Sequence, residues 1–152
     1  MILVKVYVVI LIILHTLNLH FYSLFSRFDL LNHTYIKFFG FGAGIVGLSF
    51  CLYAQVKMGQ SWREGIDEET VTDLITTGLY KLIRNPTYLG LCVLNIGIWL
   101  IWPTWTVFLL NLILIYTLEI QVRCEEDYLE NIHGNDYIRY KNSTKRYIPY
   151  LY

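Results

Sequence analysis

Carboxylates and a basic side chain cluster in a polar helical stretch that follows an apolar run. Glu119, Arg123 and Glu126 fall at positions i, i+4 and i+7, so in an α-helix they share one face. One interpretation is a solvated ion pair on the helix surface. The other is a set of carboxylates that holds a cationic or hydroxyl-rich ligand, because ionisable groups at the end of an apolar segment are often functional. The spacing alone leaves both interpretations open.

A second polar cluster precedes another apolar run. Asn85 followed by Pro86 is typical of a helix start, since Asn can cap free backbone N–H groups and Pro suits the first helical position. The positive end of that helix would lie beside Arg84, and this combination favours an anionic group of a ligand. The alternative is an ordinary helix cap next to an arginine that anchors the chain at a membrane boundary.

The composition indicates a membrane protein. Of the 152 residues, 55% are hydrophobic and 16% are charged, whereas soluble proteins average about 45–50% and about 25%. Twelve Lys and Arg balance twelve Asp and Glu, which excludes a basic nucleic-acid binder, and the apolar and aromatic content excludes a disordered chain. The three cysteines show no CxxC spacing, so we expect neither a disulfide framework nor a metal site.

Four apolar runs predict membrane-spanning helices. They cover residues 1–25, 38–56, 87–102 and 105–118. The last two runs are short and are joined by Trp102-Pro103-Thr104, which predicts a helical hairpin. We therefore expect a single all-α membrane domain over residues 1–152, with about four transmembrane helices and a cytoplasmic C-terminal helical tail.

Charge asymmetry predicts the orientation of these helices. Four spans place the N-terminus, segment 57–86 and segment 119–152 on one side of the membrane. Ten of the twelve basic residues lie on that side, and only Arg27 and Lys37 lie on the other. Positive residues concentrate on the cytoplasmic side, so we expect both termini in the cytoplasm. Gly134 predicts a break between two helical pieces of segment 119–152. Three tyrosines of the tail are expected in the aromatic belt at the membrane surface rather than in a lipid-facing groove: Tyr137, Tyr140 and Tyr147.

A glycine-rich stretch within the second run resembles a nucleotide-binding pattern on paper. Residues 42–47 read Gly-Ala-Gly-Ile-Val-Gly, but the dinucleotide fingerprint needs a preceding strand and an acidic residue about 20 positions later. The pairs Gly40/Gly44 and Ala43/Gly47 are each four residues apart, and small residues at this spacing let a neighbouring helix approach closely. We therefore expect helix packing here and no nucleotide site.

Three separated motifs occur in a characteristic order over about residues 55–150. They are Gly59-Gln60-Ser61-Trp62-Arg63; Gly78-Leu79-Tyr80 with Arg84-Asn85-Pro86-Thr87-Tyr88-Leu89-Gly90; and Glu125-Glu126 with His133-Gly134-Asn135-Asp136-Tyr137-Ile138-Arg139-Tyr140 and Ile148-Pro149. Together they resemble the isoprenylcysteine carboxyl methyltransferase family, in particular its short bacterial members, and also the phospholipid methyltransferases. The family's Arg-His-Pro reads Arg84-Asn85-Pro86 here, and an asparagine cannot titrate, so an acid or base role of that histidine would be absent.

The resemblance implies methyl transfer from S-adenosylmethionine, with the cofactor reached from the cytoplasm. It implies a lipid-like or amphipathic small-molecule acceptor, reached from the bilayer. The residues to which it assigns the cofactor are Gly78, Tyr80, Arg84, Asn85, Pro86, Tyr88, Gly90, Glu125 and Glu126. By this analogy the two glutamates would hold the ammonium group or the ribose hydroxyls. Arg84 and the helix start would hold the carboxylate, and Tyr80 or Tyr88 would pack on the adenine.

The chemical class of the acceptor stays open at this point. A carboxylate acceptor needs no general base but needs a cation to orient it, for which Arg63 and Arg139 are the candidates. An amine or hydroxyl acceptor needs deprotonation, for which Glu126, Glu125 and Tyr140 are the candidates.

Three other interpretations also stay open. A membrane reductase of the sterol-reductase type, which uses NADPH, shares some likeness with Arg123-Cys124 and with Gly134-Asn135-Asp136-Tyr137, although such enzymes have many more spans. A small membrane scaffold or transporter subunit would leave the charged segments as plain surface. A family member that binds the cofactor without turnover is suggested by Asn85.

Overall fold

The computed structural model describes residues 26–59 and 73–148, together with Val6, Val9, Ile10, Ile13, Thr16 and Leu17. Most of the predicted first span, residues 1–25, therefore lies outside the described residues. So does segment 60–72, which contains Arg63, and so does Pro149. Within the part of the chain that is described, the fold is all-helical and contains no β-strand beyond two isolated bridges.

Four α-helices have described bounds, and Val6, Val9, Ile10, Ile13 and Thr16 are helical as well. The four helices are α1 (Thr34–Met58), α2 (Pro86–Ile101), α3 (Trp105–His133) and α4 (Asn135–Ser143), and short 3-10 turns cover Asp29–Leu31 and Gly78–Lys81. Helices α1 and α3 are long and apolar enough to cross a membrane, while α2 is apolar but shorter. The predicted runs 38–56, 87–102 and 105–118 fall on α1, α2 and the first half of α3, and α3 continues into the polar stretch as the sequence predicted.

The helix boundaries follow local chemistry with one exception. Pro86 occupies the first turn of α2, and the Thr104 hydroxyl accepts a hydrogen bond from the Val107 N–H at 3.3 Å, which caps α3. Gly134, at a φ of 53°, separates α3 from α4, as its position predicted. The exception is Asn85, whose side chain makes no capping hydrogen bond; its Nδ2 group donates instead to Glu126 Oε1 at 3.2 Å.

Close packing of α1 against α2 depends on glycines. A Cβ atom at Gly47 would lie 2.5 Å from the Leu94 backbone nitrogen, and one at Gly97 would lie 2.6 Å from the Gly40 carbonyl oxygen. Gly90 faces the same interface, where a Cβ would lie 2.7 Å from the Gly47 carbonyl oxygen. The prediction that the glycine-rich stretch serves helix packing is therefore confirmed.

The turn between α2 and α3 is braced by the segment before α1. The Phe28 N–H donates to the Pro103 carbonyl at 2.8 Å, and the Trp105 N–H donates to the Ser26 carbonyl at 3.3 Å. The Phe28 ring also packs edge-on against Trp99, with the ring centroids 5.7 Å apart. This end of the hairpin is therefore rich in aromatic side chains.

The chain that follows α4 braces the opposite end of the hairpin. The Arg84 N–H donates to the Lys145 carbonyl at 2.7 Å, and the Asn85 N–H donates to the Arg146 carbonyl at 3.2 Å. In return the Lys145 N–H donates to the Leu82 carbonyl at 3.3 Å. The tail therefore lies alongside the segment that leads into α2, where the predicted site residues are concentrated.

Candidate functional site

A pocket opens where α2 begins, beside the polar half of α3. Six residues of the predicted cofactor set line it: Tyr80, Arg84, Asn85, Pro86, Tyr88 and Glu125. Eight further residues complete the described walls: Met58, Asp73, Leu74, Ile75, Thr87, Leu129, Tyr137 and Tyr140. Most of the predicted set is therefore brought together by the fold, although it comes from separate stretches of the chain.

Glu125 is oriented in this pocket by hydrogen bonds to one of its two oxygens. The Tyr88 hydroxyl and the Gln121 side-chain amide, the latter at 3.1 Å, both donate to Oε1. No described residue donates to Oε2. Glu125 is thus held in one orientation while it keeps an oxygen that can accept hydrogen bonds from a ligand.

Tyrosine side chains form much of the remaining wall. Tyr137 is only 1% exposed and Tyr140 is buried beside it, so the expectation that these two lie in the aromatic belt was wrong. They pack inward because α4 folds back over α3, and the Tyr140 hydroxyl donates to the Tyr80 carbonyl at 2.7 Å. Burial, together with the charge of Glu125, raises the pKa of Tyr80 to about 12, and burial also raises the pKa of Tyr140. Both hydroxyls therefore stay protonated near neutral pH.

Glu126 does not line the pocket. It is 3% exposed, and its Oε1 atom accepts hydrogen bonds from Arg84 Nε at 3.1 Å, Asn85 Nδ2 at 3.2 Å and Arg146 Nε at 3.2 Å. Its Oε2 atom accepts from Arg146 Nη2 at 2.7 Å. Both carboxylate oxygens are therefore occupied by side chains of this protein.

The same network extends to the C-terminal tail. Arg84 Nη1 donates to the Thr144 carbonyl at 2.6 Å, Arg146 Nη1 donates to Glu119 Oε1 at 2.9 Å, and the Tyr147 hydroxyl donates to Glu119 Oε2 at 2.8 Å. We call the five side chains of this network the C-terminal clasp: Arg84, Glu119, Glu126, Arg146 and Tyr147. On the helix face predicted from the i, i+4 and i+7 spacing, Glu119 and Glu126 thus contact the C-terminal tail. Arg123, the third residue of that face, pairs with Glu119 on the surface.

The clasp lowers the pKa of both of its carboxyl groups, those of Glu119 and Glu126. Burial alone would raise the pKa of Glu126, but the hydrogen bonds and charges of Arg146 and Arg84 outweigh it and lower the pKa below its usual value. For Glu119, too, burial acts to raise the pKa, and the hydrogen bond from Tyr147 and the nearby guanidinium groups lower it overall. Both groups therefore stay ionised at neutral pH.

The other predicted site residues that the structure describes lie apart from the pocket walls. Gly78 has a φ of 68° and lies against Tyr53, where a Cβ would be 2.5 Å from the Tyr53 hydroxyl. Gly90 lies in the α1–α2 interface described above. The Arg139 side chain is 79% exposed and pairs with Asp136 on α4, and Arg63 lies outside the described residues.

Sequence reasoning missed several residues that the fold brings to the site. Asp73, Leu74 and Ile75 line the pocket from an irregular stretch before the Gly78–Lys81 turn, and no periodic pattern or motif marks them. For Arg146 the sequence predicts only a place among the ten basic residues on the cytoplasmic side. The one available signal was Gly134, which predicted the break that lets the tail return toward α3.

Comparisons with known proteins find related sequences and a related fold. Residues 35–136 match the phospholipid methyltransferase family. The protein-S-isoprenylcysteine O-methyltransferase of Schizosaccharomyces pombe is 27% identical over 101 residues, which cover 64% of this chain and 43% of that protein. A solved structure of the eukaryotic intramembrane Ras methyltransferase, isoprenylcysteine carboxyl methyltransferase, matches with a TM-score of 0.72 and 22% identity, over 82% of this chain and 46% of the other.

These matches identify a family and a fold but cover only part of each relative. The chain spans less than half the length of both relatives, and the solved structure shows the likeness of the fold. The matches and the two long apolar helices support a membrane location. They favour the methyltransferase resemblance over the reductase and scaffold interpretations. Because the matched segment covers more than half of its length, the chain belongs to the phospholipid methyltransferase family.

Proposed function

We propose that this protein transfers a methyl group from S-adenosylmethionine to a membrane-embedded or amphipathic small molecule. The observation that carries the proposal is the pocket at the start of α2, in which Glu125 is held by Tyr88 and presents an oxygen that no described residue occupies. That pocket lies in a chain of the phospholipid methyltransferase family.

The hydrogen-bonding groups of the pocket are complementary to those of S-adenosylmethionine. The ammonium group and the ribose hydroxyls of S-adenosylmethionine are hydrogen-bond donors, and Glu125 supplies the matching acceptor. The first turn of α2 lines the pocket at Thr87 and Tyr88 and has no side-chain cap, so its backbone N–H groups suit the cofactor's carboxylate. The Tyr80 ring offers an aromatic surface to the adenine.

The structure supports a revised assignment for Arg84, Asn85 and Glu126. Their charged and amide groups are bonded to one another, and Arg84 also binds the tail carbonyls. We therefore assign Glu126 to positioning: it fixes Asn85 and Arg84, which line the pocket, and it touches no ligand itself.

When bound, S-adenosylmethionine supplies a methyl group that its sulfonium already activates, so the protein has mainly to position the reactants and exclude water. Tyr80, Tyr137 and Tyr140 form a buried wall that keeps water from one side of the pocket. Glu125 would hold the ribose hydroxyls, and the first turn of α2 would hold the carboxylate on the other side of the sulfonium. Placing both ends would fix the direction in which the methyl group points.

The described residues narrow the choice of a general base for an amine or hydroxyl acceptor. Both oxygens of Glu126 accept hydrogen bonds from Arg146 or Arg84. The Tyr140 hydroxyl donates to the Tyr80 carbonyl. Glu125 is the candidate with an oxygen that no described residue occupies. For a carboxylate acceptor, Arg63 stays the orienting candidate, because Arg139 is exposed and does not line the pocket.

The proposed topology follows the charge asymmetry of the sequence. We propose four membrane spans, with α2 and the first half of α3 forming a hairpin whose polar end faces the cytoplasm. Both termini and the pocket would then lie on the cytoplasmic side, where soluble S-adenosylmethionine is available. The acceptor would enter from the bilayer.

The test is transfer of a radiolabelled methyl group from S-adenosylmethionine to a lipid extract of cell membranes. The purified protein in detergent is compared with Glu125→Gln and with Asp127→Asn, an exposed acid two residues away on the same helix. We expect label in a lipid-soluble product with the wild type and with Asp127→Asn, and a loss of at least tenfold with Glu125→Gln, since a charge-assisted hydrogen bond is worth about 1.5–3 kcal/mol.

Binding measured by calorimetry separates the possible failures. A folded wild-type protein that binds no S-adenosylmethionine would overturn the proposal. Binding without transfer to any lipid fraction would instead support a family member without turnover. Binding of NADPH in place of S-adenosylmethionine would support a reductase.

A further inference from the structure

A second pocket lies at the opposite end of the α2–α3 hairpin from the candidate active site. It has a volume of about 300 Å³, and its lining residues are Arg27, Asn32, Lys37, Ile101, Trp102 and Pro103. Arg27 and Lys37 are the two basic residues that the charge asymmetry left on the far side of the membrane. Both of them therefore line one pocket, on the side that the proposed four-span topology leaves poor in basic residues.

The fold fixes the elements that carry these two cations. Arg27 forms an isolated antiparallel bridge with Thr104, and its neighbour Phe28 donates a backbone hydrogen bond to Pro103. Lys37 lies in the first turn of α1, which begins at Thr34 without a side-chain cap. The positive end of the α1 dipole therefore adds to the charge of the two side chains.

No carboxylate of the described residues neutralises this charge. Asp29 is the nearest acid along the chain, yet it lies exposed on its 3-10 turn, does not line the pocket and forms no ion pair with Arg27 or Lys37. The Asn32 amide adds a neutral hydrogen-bond donor. Two cations and an amide around one concave site suit a phosphate group, because guanidinium and ammonium groups donate charge-assisted hydrogen bonds to its oxygens.

The surroundings indicate that the phosphate belongs to a lipid. Just beyond Lys37, the large side chains Phe38, Phe39 and Phe41 on α1 are all exposed, as expected of a helix that faces acyl chains. The rings of Phe28, Trp99 and Trp105 pack together beside the pocket, and aromatic residues concentrate at the level of lipid headgroups. The pocket therefore lies where apolar surface gives way to polar surface.

We propose that this pocket binds the phosphate of an anionic lipid headgroup on the membrane face opposite the candidate active site. The site is independent of methyl transfer. Binding of a headgroup there would hold the segment before α1 against the hairpin turn and would fix the depth of that turn in the bilayer.

The test is a calorimetric titration of the full chain in an uncharged detergent with short-chain phosphatidylglycerol. Phosphatidylcholine of the same chain length is the zwitterionic comparison, and inorganic phosphate is the soluble comparison. We expect saturable binding of phosphatidylglycerol, weaker binding of the other two, and weaker binding at high salt. The variant Arg27→Gln/Lys37→Gln should bind about 30-fold more weakly, since each Lys or Arg near anionic lipid contributes roughly fivefold.

A matched control removes the same charge at the other end of the molecule. Lys57 and Lys81 are exposed and line neither pocket, so Lys57→Gln/Lys81→Gln should bind phosphatidylglycerol within about twofold of the wild type. Each single variant, Arg27→Gln or Lys37→Gln, should lose about fivefold. The proposal is overturned if the Arg27/Lys37 double variant binds as tightly as the wild type, or if phosphatidylcholine binds equally well. It is also overturned if inorganic phosphate binds as tightly as the lipid.

Discussion

Glu125 and Glu126 are neighbours in the chain, yet they face two regions that use a carboxylate in opposite ways. Glu125 faces the pocket, where only its Oε1 atom is bonded to described residues. Glu126 faces the C-terminal clasp, where both oxygens are bonded to arginines. Successive residues of an α-helix point about 100° apart, so one turn of α3 serves both regions.

The comparison teaches that a pair of adjacent acids need not form one site. In the clasp a charge is buried and fully paired, which holds the tail against the start of α2. In the pocket the carboxylate is oriented but incompletely satisfied, which suits it to a ligand. We infer that the clasp keeps the pocket in shape and that the pocket performs the binding.

The largest effect is expected from breaking the clasp. Glu126→Ala leaves Arg84 and Arg146 without their shared carboxylate, and removing one partner of a buried ion pair costs about 3–5 kcal/mol. We expect a loss of this size in the free energy of unfolding, measured by denaturant titration in micelles. Glu130→Ala is the control, because Glu130 pairs with Lys141 at a half-exposed position and should lose about 1 kcal/mol or less. Equal losses in the two variants would contradict the special role of the clasp.

A smaller loss in the free energy of unfolding is expected from a substitution at Gly90, which the family resemblance assigned to the cofactor. In Gly90→Ala the new Cβ would lie 2.7 Å from Cys51 Sγ and from the Gly47 carbonyl oxygen, so α1 and α2 must separate. Overpacking of this kind costs about 1–3 kcal/mol. Gly42→Ala is the control, since nothing lies within 4 Å of its Cβ position, and its stability should not fall. A Gly90→Ala protein of wild-type stability that binds no cofactor would restore the direct role.

The pH dependence of stability should distinguish the clasp from other acidic groups. The pKa of Glu126 is lower in the folded state than its ordinary value of 4.5. Its contribution is therefore complete above the ordinary value and is lost as the pH falls through the lower folded value. We expect the free energy of unfolding to fall below pH 4.5 in the wild type. Glu126→Gln should show a shallower fall, and an unchanged slope would contradict the pairing.

The smallest effect on cofactor affinity and methyl transfer is expected from a substitution at Arg139. Its side chain is 79% exposed and its partner Asp136 is 70% exposed, and exposed pairs contribute about 0–1 kcal/mol. Because Arg139 does not line the pocket, Arg139→Gln should keep its affinity for S-adenosylmethionine and its methyl transfer within about twofold of the wild type. A large loss of transfer at unchanged cofactor affinity would instead identify Arg139 as the group that orients the acceptor.

Most of the described helical framework could be predicted from the sequence. The apolar runs, the Pro103 turn and the Asn85-Pro86 start are local signals that predicted α1, α2 and α3, and the Gly134 break predicted a further helical piece without giving its end. The α1–α2 glycine contact followed from small-residue spacing. The first predicted span and the four-span topology stay predictions.

The site was less predictable because it depends on contacts between distant segments. The resemblance named six of the residues that line the pocket, but it treated Glu125 and Glu126 alike. Glu126 faces the tail because the chain turns back after Gly134 and brings Arg146 against it. The local sequence around the two acids gives no sign of this contact. The burial of Tyr137 and Tyr140 depends on the same return.

One measurement tests the division between pocket and clasp most directly: parallel determination of S-adenosylmethionine affinity and thermal stability for Glu125→Gln and Glu126→Gln. We predict that Glu125→Gln weakens binding about tenfold or more and keeps the wild-type Tm, because Glu125 offers its carboxylate to the ligand. Glu126→Gln should lower the Tm clearly. If Glu126→Gln keeps the Tm and loses binding, while Glu125→Gln changes neither, the two roles are reversed and the account is contradicted.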